Sequence, residues 1–504
     1  MSTTEATEIR YGNLRKPVLP GFFGLSAIPS GILLLGTLVM LMLIFTTNLW
    51  VGLIEMGIVL AAVLPEAIPT ADGQGRYSRM IGRFRFNRAT RTGENVLVQG
   101  LTGFVPDGQC RLPGVAAAVE LSTARDVHGR EFGLIHWTKP DLYSVVINCF
   151  PEGRSGMDKE VMDAQVAQWA AWLSQLASGE EIVGAQVVID SAPDSGERLR
   201  RAVDRGRSAS APAYSQLMVE QVKESSRAGA PTVTVRITIT FNAKLEGESK
   251  KDVQVRSREE MAAAIGDILP AMTGTLDGTG AGQGSYPATV QEITDMTRVA
   301  YDPAAGPAVE KAQQEGGTQI PWSQAGPITA VNHWDAYQHE TALSRTWQMY
   351  GAPKGQFFAK VLDGLVAPHR DVAHKRVTLV YRPESAARSA QIAENDVTAA
   401  RLVASQNQRT RAAHRLAVSA AEKTAEQESL GSPLTRVGLL VTVTVLDPAD
   451  LGRASAVVRR TLAPPARLQL RLPHGAQDAA FVAGLPLGMV PYYHGSLASF
   501  ADGM

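Results

Sequence analysis

The sequence predicts an α+β protein. It is read as an N-terminal two-helix transmembrane hairpin, followed by cytoplasmic antiparallel-sheet and helix sandwich domains with a long helical segment in the C-terminal half. Three observations predict it. Gly21 to Ile68 contains two long apolar runs joined by four residues. Thr232 to Phe241 (TVTVRITITF) alternates apolar and polar side chains, the pattern of a half-buried antiparallel strand. Ser385 to Gln427 contains neither Gly nor Pro and mixes charges of both signs, the pattern of a solvated helix or helical hairpin.

The first run is Ile28 to Phe45 and carries no charge; the second is Trp50 to Ile68. Each approaches the roughly 20 residues that a helix needs to cross a bilayer core. Backbone amides without water must bond within the segment, which selects helices. A signal peptide would need one shorter run and a small-residue cleavage site. Arg10, Arg15 and Lys16 precede the hairpin, and Arg76, Arg79, Arg83, Arg85, Arg88 and Arg91 follow it with no acid between Asp72 and Glu94. The positive-inside rule then places both termini in the cytoplasm of a multi-pass protein of the cell (inner) membrane. Glu55 falls inside the second run. It reads either as a proton or ion path or, as we favour, as an acid at the outer interface or packed on a partner helix.

The chain then divides in order. Residues 1–20 are a polar lead, 21–70 the hairpin, and 71–112 a basic juxtamembrane segment with an extended connection. Within the last, Tyr77 to Arg91 is an amphipathic surface helix with Met80, Ile81, Phe84 and Phe86 on its apolar side. Residues 113–325 form a first α+β domain. Its strands are Phe132–Trp137, Leu142–Phe150, Ile182–Ile189 and Thr232–Phe241, and a helix at Lys159–Leu176 carries Trp169 and Trp172. Residues 326–504 form a second α+β part. It has strands at Glu340–Met349, Gly355–Leu362, Lys375–Tyr381, Val437–Leu446 and Leu468–Leu472, and the helical stretch 385–427.

Composition narrows the function. Lysine plus arginine and aspartate plus glutamate both number 49, so the whole chain is not built for nucleic acid. The arginine segment is the exception. It suits anionic lipid headgroups, with Trp50 as an interfacial anchor, and less well DNA. The two cysteines, Cys110 and Cys149, have no zinc spacing. The dipeptide Gly-Lys is absent, which excludes a P-loop, and Gly278 to Gly284 (GTGAGQG) lacks the dinucleotide-binding glycine spacing. No His-Glu-x-x-His or Gly-x-Ser-x-Gly occurs. No catalytic residue, cofactor or metal site is predicted.

Several long stretches carry a resemblance. RLPGVAAAVEL (111–121), RDVHGREFGLIHWTKPDLYSVVINC (125–149), APDSGERLRR (192–201), TRVAYDPAA (297–305), VAPHRDVAHKRVTLVYRP (366–383), VGLLVTVTVLDPADL (437–451) and AAFVAGLPLG (479–488) resemble the actinobacterial membrane protein family found with conjugative, type IV secretion-like genes. Its hairpin is similar to small two-helix secretion subunits of the PrgI and TrbD kind. Its soluble part is similar to the N-terminal, non-ATPase domain of conjugation ATPases of the TraC, TrbE and CagE kind. In those ATPases an AAF…LPLG segment lies just ahead of the nucleotide-binding domain. Here the chain stops about 16 residues after Gly488, so the resemblance implies no motor activity. It implies a non-catalytic scaffold that docks a separate conjugation ATPase, other membrane subunits and a homo-oligomeric partner copy. The alternative is a membrane-anchored DNA contact in a DNA-transfer system.

Overall fold

The computed structural model describes residues 27–67, 76–100, 103, 110–151, 153, 157–179, 181–194, 203–206, 208, 210–225, 231–245, 254–351, 359–406, 412–431 and 433–494. The polar lead predicted over 1–20 lies outside them.

Helices α1 (Ala27–Thr46) and α2 (Leu49–Ala67) form the expected hairpin, and α3 (Arg76–Thr92) follows. Among the described residues, however, no helix is long and apolar enough to cross a membrane. In α2 the run is interrupted by Glu55. This corrects the transmembrane hairpin and, with it, the multi-pass cell-membrane location.

After α3 the chain builds one antiparallel sheet. The strands are β1 (Val96–Val98), β2 (Val119–Arg125), β3 (Glu131–Trp137), β4 (Leu142–Cys149), β5 (Ile182–Pro193) and β6 (Pro231–Asn242). A separate two-residue pair, β7 (Lys244–Leu245) and β8 (Gln254–Val255), comes next, then β9 (Tyr286–Pro287). The remainder are β10 (Thr329–Asn332), β11 (Tyr337–His339), β12 (Ala342–Gly351), β13 (His374–Pro383), β14 (Thr435–Val445) and β15 (Gln469–Arg471). The main sheet has 13 strands in the order β1-β10-β11-β12-β14-β13-β5-β6-β4-β3-β2, with β15 on β12 and β9 on β4.

That order contains a duplication. Residues 119–301 run β2, β3, β4, α4 (Lys159–Ser178), β5, a helical insertion with α5 (Ala213–Ser225), β6, α6 (Arg258–Gly274), β9 and α7 (Val290–Tyr301). Residues 329–483 run β10, β11, β12, a short helix at Asp363–Val366, β13, a helical insertion with α8 (Ala386–Gln406) and α9 (Ala412–Ser429), β14, α10 (Leu451–Val457), β15 and α11 (Gln477–Ala483). In each half the last long strand inserts between the third and fourth, and a short strand then returns to the third. The halves meet back to back where β5 pairs β13, with Val377 opposite Ile189. The two α+β parts expected from the sequence thus share one sheet. The expected strand at Gly355–Leu362 is instead a short 3-10 turn over Ala359–Leu362, residues 352–358 lying outside those described. Of the two readings of 385–427, a solvated helix or a helical hairpin, the structure has two helices linked by Arg401–Glu422.

Period-2 side chains divide the sheet into two faces. On one, Trp172 and Leu176 of α4 and Met261, Ile265 and Leu269 of α6 cover the first half, while Leu451, Ala454 and Val458 cover the second. On the other face α7 and the segment 477–490 cover the centre, with Phe481, Leu485, Leu487 and Met489 buried. Helices therefore cover both faces.

The segment 477–490 is a strap laid across both halves. Outside regular structure its amides need partners, and the strands supply them from an inward polar row. Gln477 exchanges bonds with the Thr346 backbone, at 2.8 and 3.1 Å. Thr378 Oγ1 donates to Gly484 O at 2.8 Å. Gln186 Nε2 donates to Met489 O at 2.7 Å, Trp137 Nε1 to Leu487 O at 2.8 Å, and Thr240 Oγ1 to Gly488 O at 2.9 Å. Gly488 has φ +76°, and a Cβ there would overlap the Ser144 hydroxyl and come within 2.6 Å of Thr240 Oγ1.

Candidate functional site: a cationic helix on the sheet edge

Arginine-rich α3 has no acid in its 17 residues, and Arg76, Arg79, Arg83, Arg85, Arg88 and Arg91 are all exposed. Such a helix gains little from its own propensity. It is held by one aromatic dock. Phe86 packs edge-on against Trp334 at 5.3 Å between ring centroids, and the Arg83 guanidinium lies 4.7 Å over the same ring. His474 stacks on Trp334 at 5.2 Å. Gly475, at φ +75°, lets its backbone N–H reach Trp334 O at 2.7 Å; a Cβ there would press on the Trp334 ring. Asn332 Nδ2 donates to Gly475 O at 3.2 Å and to Asp478 at 2.9 Å. Downstream, β1 pairs with β10 and ties the end of α3 into the sheet.

Beside the dock, Arg76, Arg79 and Arg83 share an open trough with Met80, Phe84 and Trp334. Met80, Ile81 and Phe84 are 59%, 49% and 72% exposed among the arginines. Of the residues singled out from the sequence, the structure brings together Arg76, Arg79 and Arg83; Arg85, Arg88 and Arg91 lie on α3 outside the trough lining. Trp50 is exposed on α2, and Glu55 is half-buried there with one carboxylate oxygen that has no hydrogen-bond partner. Neither lines the trough. Sequence reading missed Trp334, which sits in the short run between His333 and His339.

The chemistry of this surface is electrostatic. Among the described residues no group of three His, Cys, Asp or Glu side chains is placed to hold a metal ion. The nearest approach to a base–nucleophile chain is His339. Its Nδ1 bonds Tyr301 O at 2.6 Å, its Nε2 bonds Ser344 Oγ at 2.7 Å, and Ser344 bonds Thr444 at 2.7 Å. His339 and Ser344 are fully buried, and burial lowers the imidazole to about 4, so the chain is a core tie. Burial likewise pushes the Cys149 thiol up to about 11, away from reactive thiolate.

Compared with protein-family models and with curated proteins, the chain matches none of them.

Proposed function

We propose that this chain is a non-catalytic scaffold of a conjugative, type IV secretion-like apparatus. In this reading it docks a separate P-loop ATPase, and α3 is its contact with a phosphate-bearing surface. The observation that carries the reading is the face of α3: exposed arginines interleaved with exposed Met80, Ile81 and Phe84 on a helix pinned by Trp334. Charge alone would suit any polyanion. The interleaved apolar side chains favour anionic lipid headgroups, where an interfacial helix buries such side chains while arginines meet phosphates.

The docking half of the proposal rests on the resemblance of AAFVAGLPLG to the segment ahead of the motor in conjugation ATPases. That segment is the strap here, and the chain holds no P-loop. The test is reconstitution. Tagged full-length chain is used to isolate a P-loop ATPase in mild detergent, and the purified pair is then titrated. Association at roughly tens of micromolar or tighter is expected. Its absence overturns the docking role.

A second reading is DNA contact by the same arginines, favoured by the acid-free run of α3. It requires duplex binding whose affinity falls steeply with salt and is lost in the Arg76→Gln, Arg79→Gln, Arg83→Gln variant.

A further inference from the structure

A second cationic centre lies at the other end of the strap. Arg382, one residue before the end of β13, pairs with Arg436, the second residue of β14, and Glu384, 4% exposed, follows just after β13. Arg436 Nε donates to Glu384 Oε1 at 2.6 Å and Arg382 Nη2 to the same oxygen at 3.2 Å; Arg388 lies 3.6 Å from Oε2. Three guanidinium charges thus meet one carboxylate, leaving two in excess. The Glu384 backbone N–H is bonded to Leu434 O at 2.9 Å, so this acid belongs to the base of the α8–α9 hairpin.

The excess charge faces a pocket. Arg382 and Arg436 reach into it; Val380, Val490 and Pro491 wall it; and Tyr492, 52% exposed, lies 4.1 Å under the Arg382 guanidinium. The pocket is shallow and far smaller than the roughly 300–1,000 Å³ of small-molecule sites, with room only for the tip of a side chain. Planar forks of this kind match carboxylates two bonds at a time. The pocket also opens where the strap leaves the sheet at Val490–Tyr492.

We propose that Arg382, Arg436 and Tyr492 form a receptor for an acidic side chain of a docking protein. This inference rests on the docking reading and adds that the partner's contacting surface is acidic at this point.

The test uses the full chain with a fluorescein-labelled hexaglutamate peptide, read by anisotropy at low salt. It is run with wild type and with an Arg76→Gln, Arg79→Gln, Arg83→Gln background that removes the trough arginines. Binding is expected to persist in that background and to fall about tenfold or more with R382Q/R436Q added. Y492A, which removes only the shelf, is expected to weaken binding without disturbing Glu384 and serves if R382Q/R436Q fails to fold. Binding unchanged by R382Q/R436Q and Y492A overturns the proposal. So does binding lost entirely in the trough background, or peptide displaced by an equal concentration of inorganic phosphate. The assay contains no ATPase. Peptide capture without ATPase association would therefore sink the docking reading and leave the receptor standing; ATPase association without peptide capture would do the reverse.

Discussion

At the scale of single residues, Gly488 is the point where strap and sheet have no slack. Its left-handed backbone disfavours any side chain, and a methyl group would overlap the Ser144 hydroxyl. Gly488→Ala combines αL strain with overpacking, so a loss of about 2–4 kcal/mol is expected in chemical denaturation. A variant as stable as wild type would show that the strap shifts freely. His339 supplies a pH-dependent contribution. Burial lowers its folded pKa to about 4, with the Arg376 charge acting the same way against the bond to Tyr301 O. An unfolded histidine titrates near 6.5. The unfolded chain therefore takes up a proton that the folded chain refuses. Stability is full above about pH 6.5 and declines as pH falls toward 4, by up to about 3 kcal/mol from this residue. His494, lowered to about 4 by burial, adds to the same window. Denaturation midpoints measured from pH 7.5 to 4.5 check this, and His339→Gln is expected to flatten the slope; an unchanged slope would assign the effect elsewhere.

At the scale of elements, α3 makes the sharpest distinction between folding and binding residues. Arg76, Arg79 and Met80 are exposed, whereas Phe86 and Trp334 hold the helix. Arg76→Gln with Arg79→Gln and Arg83→Gln is expected to cut binding to vesicles containing phosphatidylglycerol by about tenfold or more, at near 1 kcal/mol per residue. Thermal stability should stay within about 1 kcal/mol of wild type, since most of these contacts are solvent-exposed. Vesicle binding that survives would move the headgroup contact off α3. The elements also show what sequence pattern reveals. TVTVRITITF reads directly as a strand from its period-2 alternation, and β6 spans Pro231–Asn242, but both faces are buried over Ile237–Phe241 rather than one. The apolar hairpin was legible as two helices, but among the described residues no helix is long and apolar enough to cross a membrane. Gly355–Leu362 misled because a few β-formers beside Gly-Ala-Pro do not fix a pairing partner. Trp334 was not legible as a dock: its partners Phe86 and Gly475 each lie more than a hundred residues away, on either side, and periodicity carries only local information.

At the scale of the whole molecule, the duplication explains why the strap exists. Two half-sheets joined only through β5 and β13 would meet along a single strand pair, a narrow seam for a sheet this wide. The strap crosses that seam. It is bonded to Thr346 and Thr378 in the second half and to Gln186, Thr240 and Trp137 in the first. Its apolar side chains add a continuous core with Leu142, Val146 and Leu440 drawn from both halves. The polar inward row of serines, threonines and Gln186 would otherwise weaken a sheet core, because unpaired buried hydroxyls and amides cost stability. Here Gln186, Thr240 and Thr378 bond strap backbone groups, and the hydroxyls of Ser144 and Thr240, Ser344 and Thr444, and Thr346 and Thr442 pair with each other. The halves should therefore unfold together. Native-state hydrogen exchange is expected to give β4 and β14 the same opening free energy, and Gly488→Ala should lower both by the same amount although it lies against Ser144 of β4 and Thr240 of β6, both in the first half. If the variant speeds exchange in β4 and leaves β14 protected, each half is its own cooperative unit and the strap is a surface covering rather than the joint between them.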